Sequence, residues 1–197
     1  MLKPWYIAPS LLVEGLYCNR RLWLKAHNIE IFEDNQYLTA CRTLKQHISG
    51  LTIDDSDWLY EARLPSGTRI DAWLPEECLG VEFKSGTPHP THLYQVWAIR
   101  QELSRLGVNE CEMQLWYKMK FSADATALAK SFDLEYGQID DDIFAICTES
   151  EDPDFLIRLE RGASILIDQV ELDTPPKAKE PADKTCMQCA YSEWCYC

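Results

Sequence analysis

Two short alternating runs stand near the middle of the chain, Arg69–Leu74 (RIDAWL) and Leu79–Lys84 (LGVEFK), separated by the turn signal Pro75-Glu76-Glu77. Both predict β-strands. Trp58–Leu64 predicts a strand ahead of them, turning at Pro65-Ser66-Gly67, and Glu112–Lys120 (EMQLWYKMK) alternates as a fourth. Between the third and fourth strands the period lengthens. A helix is expected from Pro90 or Thr91 to about Leu106, with Leu93, Val96, Trp97, Ile99, Arg100 and Leu103 as its packed stripe. Towards the N-terminus, Pro9-Ser10 is a helix start with Ser10 as N-cap, and the apolar spacing predicts one amphipathic helix over Leu11–Ala26. Phe32–Ser49 reads as a second helix ending at Gly50. Asp124–Phe132 and Gly137–Ile146 are weaker segments, with Asp140-Asp141-Asp142 expected as a solvated helix start. Pro153–Leu172 predicts a long helix packed through Phe155, Leu156, Leu159, Ile165, Leu166 and Val170, and Thr174–Lys184 (TPPKAKEPADK) is a linker.

The two central strands carry candidate chemistry. Side chains two apart on a strand share a face, so Glu82 and Lys84 point together while Phe83 points the other way, into a core. Asp71 lies on the preceding strand. Two carboxylates brought that close repel one another unless a divalent cation sits between them. Asp71 with Glu82-Phe83-Lys84 resembles the core of a PD-(D/E)xK nuclease site. In such a site the acids would hold Mg²⁺ or Mn²⁺, the metal would acidify a bound water, and Lys84 would orient or deprotonate that water and stabilise the developing charge. Taken alone, E-x-K equally describes an alternating strand whose solvent face holds an acid and a lysine. Gln95, early in the next helix, is placed to reach a phosphate or the water, though a surface glutamine needs no explanation.

Composition changes the picture in two ways. The chain has 197 residues, 46% of them hydrophobic and 26% charged, which fits one soluble domain with a small appendage. No apolar run reaches membrane-spanning length and Met1–Ser10 does not resemble a signal peptide, so a cytoplasmic protein is expected, without membrane contact. In that compartment its nine cysteines read as metal ligands or buried thiols rather than disulfides. The net charge of −13 runs against non-specific DNA binding, which depends on Lys and Arg contacts to phosphate. A nuclease of this charge needs a local basic groove or a basic partner.

The last twelve residues contain Cys186, Cys189, Cys195 and Cys197, in the order C-x2-C-x5-C with one further cysteine two on. Thiolates at this density read as a metal centre, of zinc or of an iron–sulfur cluster, which normally takes four thiolates. Elsewhere, Cys18 on its own is a small buried residue, and His47 at a helix end is a structural histidine. Cys41, Cys78, Cys111 and Cys147 have no motif partners and read as core thiols.

Taken in order, Tyr17-Cys18-x-Arg20-x-x-Trp23-Leu24, a histidine on the following helix, Asp71, Glu82-x-Lys84, Gln95 on a helix and the C-x2-C-x5-C tail resemble the CRISPR-associated Cas-four family of RecB-like nucleases. The resemblance runs from Tyr17 to Cys195. It implies an α/β fold of the restriction-endonuclease-like (PD-(D/E)xK) type, with a mixed sheet of about four or five strands flanked by helices. Residues 1–173 form the nuclease domain, and 174–197 the linker and the iron–sulfur tail. It implies a [4Fe–4S] cluster on Cys18, Cys186, Cys189 and Cys195, capping the domain by joining the N-terminal helix to the tail; Cys197 could replace Cys195. It implies Mn²⁺ or Mg²⁺ on His47, Asp71, Glu82 and the backbone carbonyl of Phe83, with Lys84 and Gln95 completing the catalytic site. The implied activity is cleavage of DNA, especially single-stranded ends, trimming fragments for the Cas-one and Cas-two integrase. Two positions depart from the family pattern. Asn19 stands where proline is frequent, and Ile99 where a tyrosine often follows the glutamine by four residues.

Two other functions fit the same residues. One is a stand-alone RecB-like exonuclease of DNA repair or of a virus. The other is an acidic, cluster-stabilised adaptor that docks on a basic integrase and cuts poorly, which the −13 charge favours and the His47, Asp71, Glu82 and Lys84 set disfavours. A zinc-tailed enzyme of unrelated chemistry is the remaining reading.

Overall fold

The strands assemble into one six-stranded mixed sheet. The structure, a computed structural model, describes residues 9–16, 18–27, 58–65, 68–150 and 154–177. The strands are β1 (Leu59–Arg63), β2 (Arg69–Leu74), β3 (Leu79–Lys84), β4 (Glu112–Lys118), β5 (Tyr136–Gln138) and β6 (Ile143–Cys147), in spatial order β1-β2-β3-β4-β6-β5. All neighbours are antiparallel except β3 and β4. A parallel pair needs a crossover connection, and α3 (Pro90–Arg105) supplies it. Its start combines proline at the first helical position with His89 as N-cap, whose Nδ1 accepts from the Thr91 N–H at 3.2 Å.

The expected helix over Leu11–Ala26 is interrupted. The chain forms α1 (Pro9–Leu12), a 3₁₀ turn (Val13–Leu16) and α2 (Asn19–Ala26). Helix α1 begins at Pro9, so Ser10 lies inside it and is not its cap. Cys18 breaks the run: it is extended, and its Sγ accepts from the Arg21 N–H at 3.2 Å, capping α2. The remaining helices are α4 (Ser122–Ser131) and α5 (Phe155–Val170). No described helix is long and apolar enough to cross a membrane. Phe32–Ser49, including His47, and the cysteine tail lie outside the described residues.

Burial separates the two faces of the sheet. Met113, Leu115 and Tyr117 of β4 join Leu93, Val96, Trp97 and Ile99 of α3 and Phe155, Leu159 and Ala163 of α5 in the larger core. On the other face Ala72, Val81, Trp116 and Ile143 form a smaller cluster, with Phe83 edge-on to Trp116 at 5.6 Å. Phe83 thus packs as the alternation predicts. Along α5 the expected stripe holds at Phe155, Leu159, Leu166 and Val170, but Leu156 and Ile165 are exposed, and Ala163 and Ile167 are buried in addition.

The Asp140–Asp142 run is a hairpin loop between β5 and β6, not a helix start. Asp140 Oδ1 accepts from the Asp142 and Ile143 N–H groups at 2.7 and 2.8 Å, a local turn that uses the same chemistry as a helix cap.

Helices α3 and α5 approach closely at Gly162, where an added β-carbon would run into the Tyr94 ring. Alanine in a helix interior gains about 1 kcal/mol over glycine, whereas overpacking typically costs about 1–3 kcal/mol. The rigid ring cannot fold aside as a flexible chain end would, so the second effect wins. Gly162→Val, which adds further bulk and gives back helix propensity, is expected to lower stability by about 2–3 kcal/mol in urea unfolding. An unchanged midpoint would show that the helices separate freely there.

Candidate active site

Strand β3 places Gly80, Glu82 and Lys84 on the face that α3 covers, opposite Met113, Leu115 and Tyr117 of β4. Gly80 lies so close to the Met113 and Trp73 side chains that a β-carbon there would collide with Met113. The next inward residue is Glu82, 2% exposed and enclosed in an apolar core. An ionised carboxylate in such a place needs partners. Its Oε2 accepts from Lys84 Nζ at 3.0 Å and from Gln95 Nε2 at 2.8 Å, and Gln95 Oε1 in turn accepts from Lys84 Nζ at 2.7 Å. The three side chains close a ring of hydrogen bonds. The other carboxylate oxygen, Oε1, is buried and makes no hydrogen bond among the described residues.

Asp71 joins them from β2. By register it lies opposite Glu61, which has a left-handed backbone with φ +52°, and the ordered β2–β3 pairing stops one residue short, at Ala72↔Val81. Ile70 packs in the larger core and Ala72 in the smaller one, so strict alternation fails at Asp71. Its side chain takes the place of the missing ladder bond: Oδ2 accepts from the Phe83 N–H at 2.9 Å. The irregularity aims a carboxylate between the two strands, beside Glu82.

The electrostatics follow from this enclosure. Burial, reinforced by the charge of Asp71 and opposed by Lys84, pushes the Glu82 carboxyl up to about 7. One helical turn before Gln95, His92 is buried with Nδ1 3.0 Å from the Tyr117 hydroxyl. Burial, then the positive charges of Lys84 and His89, hold its imidazole well below the usual range, so it is neutral. Burial raises the Tyr117 hydroxyl as well. The lysine is thus bounded by Glu82, Gln95 and a neutral histidine–tyrosine pair.

The structure brings Asp71, Glu82, Lys84 and Gln95 together, as their order along the chain predicts. It corrects one alternative: Gln95 is 6% exposed and bridges the acid and the lysine, so it is not a surface glutamine. Tyr94, the tyrosine beside it, is turned towards Gly162 of α5, and Ile99 is fully buried in the core. His92 and Tyr117 were not singled out by the sequence; their signal is the spacing of three that puts His92 on the Gln95 face of α3.

If Gln95 closes the ring, its removal strands a buried carboxylate oxygen and a lysine donor, a loss of about 1–3 kcal/mol. Gln95→Ala is therefore expected to lower the urea midpoint by that equivalent. A surface glutamine would move stability by less than about 0.5 kcal/mol.

His47, Cys186, Cys189, Cys195 and Cys197 lie outside the described residues. Among the described residues, no group of three or more His, Cys, Asp or Glu stands together to hold a metal ion. The chemistry of Asp71 and Glu82 still fits a divalent cation. Both offer hard oxygen donors, as Mg²⁺ and Mn²⁺ require, and Glu82 Oε1 is a buried acceptor without a hydrogen bond among the described residues. Helix α2 meets the segment that follows α5. Trp23 Nε1 donates to the Leu172 carbonyl at 2.8 Å and Arg20 to that of Pro176 at 3.1 Å. Cys18 is half-buried at the start of that helix. No family model, curated protein or solved structure matches the chain.

Proposed function

We propose that this chain is a divalent-metal-dependent DNA nuclease of the Cas-four kind, acting on single-stranded ends, with Asp71, Glu82, Lys84 and Gln95 as its active site. The observation that carries the reading is the state of Glu82. A carboxylate buried at 2% exposure, clamped through one oxygen and left with the other unpaired among the described residues, has little structural rationale. It has a chemical one if a cation completes it. The arrangement also agrees with a restriction-endonuclease-like core: three antiparallel strands bearing Asp71 and Glu82-x-Lys84, then a helix bearing Gln95, then a parallel strand.

Asp71, Glu82 and the Phe83 carbonyl, with His47 as fourth ligand, are the residues that would hold Mn²⁺ or Mg²⁺. When bound, the ion would supply an acidified water and neutralise charge on the scissile phosphate. The protein's own part is positioning. Gln95 and Glu82 fix the Lys84 ammonium, which faces the phosphodiester, orients the attacking water and stabilises negative charge on the phosphoryl oxygens. The neutral His92 adds no competing cation beside it.

The same reading places a [4Fe–4S] cluster on Cys18, Cys186, Cys189 and Cys195, as a structural cap over residues 174–197. Its support is the contact of α2 with Leu172 and Pro176, which starts the C-terminal linker beside the helix that Cys18 caps. DNA, and the Cas-one and Cas-two integrase, are the proposed partners in the cytoplasm.

The net charge of −13 favours a second reading, an acidic adaptor for the basic integrase that cuts poorly. A digest of end-labelled single-stranded DNA with anaerobically purified protein separates the two. The nuclease reading expects cutting with Mn²⁺ and none with EDTA. A brown protein with about four irons per chain that never cuts would leave the adaptor. Colourless protein holding zinc would remove the cluster.

A further inference from the structure

Cys78 and Cys111 stand at the opposite end of β3 and β4 from Lys84. Cys78 ends the turn after β2, where its N–H donates to the Pro75 carbonyl at 3.2 Å, and has a left-handed backbone with φ +51°. Cys111 immediately precedes β4. The Leu79↔Glu112 pairing makes the two cysteines the next facing pair of the parallel ladder, and the Cys78 carbonyl accepts from both the Glu112 N–H at 3.0 Å and the Cys111 thiol at 2.9 Å. Their sulfurs are 2.7 Å apart. Adjacent strands lie about 4.8 Å apart, within the Cα separation a disulfide spans, and closing the S–S bond to about 2.05 Å requires a movement of only about 0.7 Å. Cys111 is buried, whereas Cys78 is half-buried and offers a route from solvent.

We propose that Cys78 and Cys111 are a redox-active pair that closes to a disulfide by exchange with a small disulfide of the glutathione class, stapling β3 to β4. The Cys78 thiolate attacks one sulfur of the small disulfide, forming a mixed disulfide and releasing one small thiol. The Cys111 sulfur, deprotonated, then attacks the Cys78 sulfur and expels the second. Two protein thiols lose their protons, two electrons pass to the small disulfide, and two small thiols leave. Burial of Cys111 raises its thiol, which slows the second step. The covalent loop runs from residue 78 to 111 and therefore contains Glu82, Lys84 and Gln95. Closing it restricts the unfolded chain around the whole β3–α3–β4 unit.

The test uses the full chain, reduced and then exposed to oxidised glutathione before free thiols are alkylated and peptides mapped by mass. A peptide pair joined through Cys78 and Cys111 is expected, two hydrogens lighter than the reduced peptides. The unfolding midpoint should rise by on the order of 5–10 °C, reversed by dithiothreitol. Cys78→Ser should lose both effects, and Cys147→Ser, at a half-buried thiol elsewhere on the sheet, should keep both. Recovery of Cys78 and Cys111 as alkylated thiols, or of Cys78 as a lasting glutathione adduct, would overturn the proposal. So would an unchanged midpoint in the linked protein. None of these outcomes depends on DNA cleavage.

Discussion

Glu82→Gln is expected to leave the protein folded and to reduce metal-dependent DNA cleavage by at least about 10²-fold. The substitution keeps size and shape, and the amide oxygen can still accept from Lys84 or Gln95, so the ring of hydrogen bonds survives in part. What it removes is the negative charge and the second anionic oxygen, the features a divalent cation needs. The effect should therefore fall on cleavage while the circular dichroism spectrum and expression are retained. Lys84→Ala should reduce cleavage as well, but without loss of Mn²⁺ binding, because in the proposed site the ammonium serves the phosphate rather than the cation. Full cleavage by Glu82→Gln would remove the active-site assignment. Equal loss through misfolding is distinguishable by the spectrum.

The same residue predicts a pH effect on stability in the metal-free protein. An acid at about 7 in the folded state, against 4.5 for an unperturbed glutamate, binds its proton more tightly when folded. Its contribution is fully present below pH 4.5 and is lost as the pH rises to 7 and above. The shift corresponds to on the order of 3 kcal/mol, or roughly 5–10 °C in melting temperature for a chain of this size. Carboxylates remote from the site contribute alike in wild type and Glu82→Gln, so the difference between the two reports Glu82 and the groups coupled to it. Relative to the variant, wild type should lose that amount between pH 4.5 and pH 8. A constant gap across this range would mean that Glu82 ionises like a solvated acid, and that its burial is not felt.

Much of this site is legible in residue order, and what is not has identifiable causes. Strand parity alone puts Glu82 and Lys84 on one face, and the structure bonds them at 3.0 Å. Which face was not legible, because Phe83 also packs, against Trp116, and both sides of β3 are covered. Gln95 is polar within an apolar stripe, and periodicity assigns such a residue to the surface. Only the partner on β3 makes it buried. Asp71 depends on a break in the β2 ladder, which has no signature in composition, since Arg69–Leu74 reads as an unbroken strand.

The misread segments share a reason. Apolar spacing continues from Leu12 through Leu22 across the helix interruption at Cys18, so period alone joins α1 to α2. Helix α5 has more apolar residues than one packed arc can take, and only tertiary contact decides that Ala163 and Ile167 are inside while Ile165 is not. The acid run at 140–142 can cap a helix or close a turn with the same side-chain bond, and the short strands on either side decide for the turn. Six strands rather than four or five follow from that hairpin.

The central claim is that Glu82 is the buried ligand of a divalent cation. It is tested most directly by calorimetric titration of Mn²⁺ into wild type and Glu82→Gln, at pH 6 and at pH 8. Wild type is expected to bind more tightly at pH 8, because the cation displaces a proton from a group near pH 7, and the variant should lose that site at both values. Equal binding by the two proteins, or wild-type affinity that does not change between pH 6 and pH 8, would contradict it.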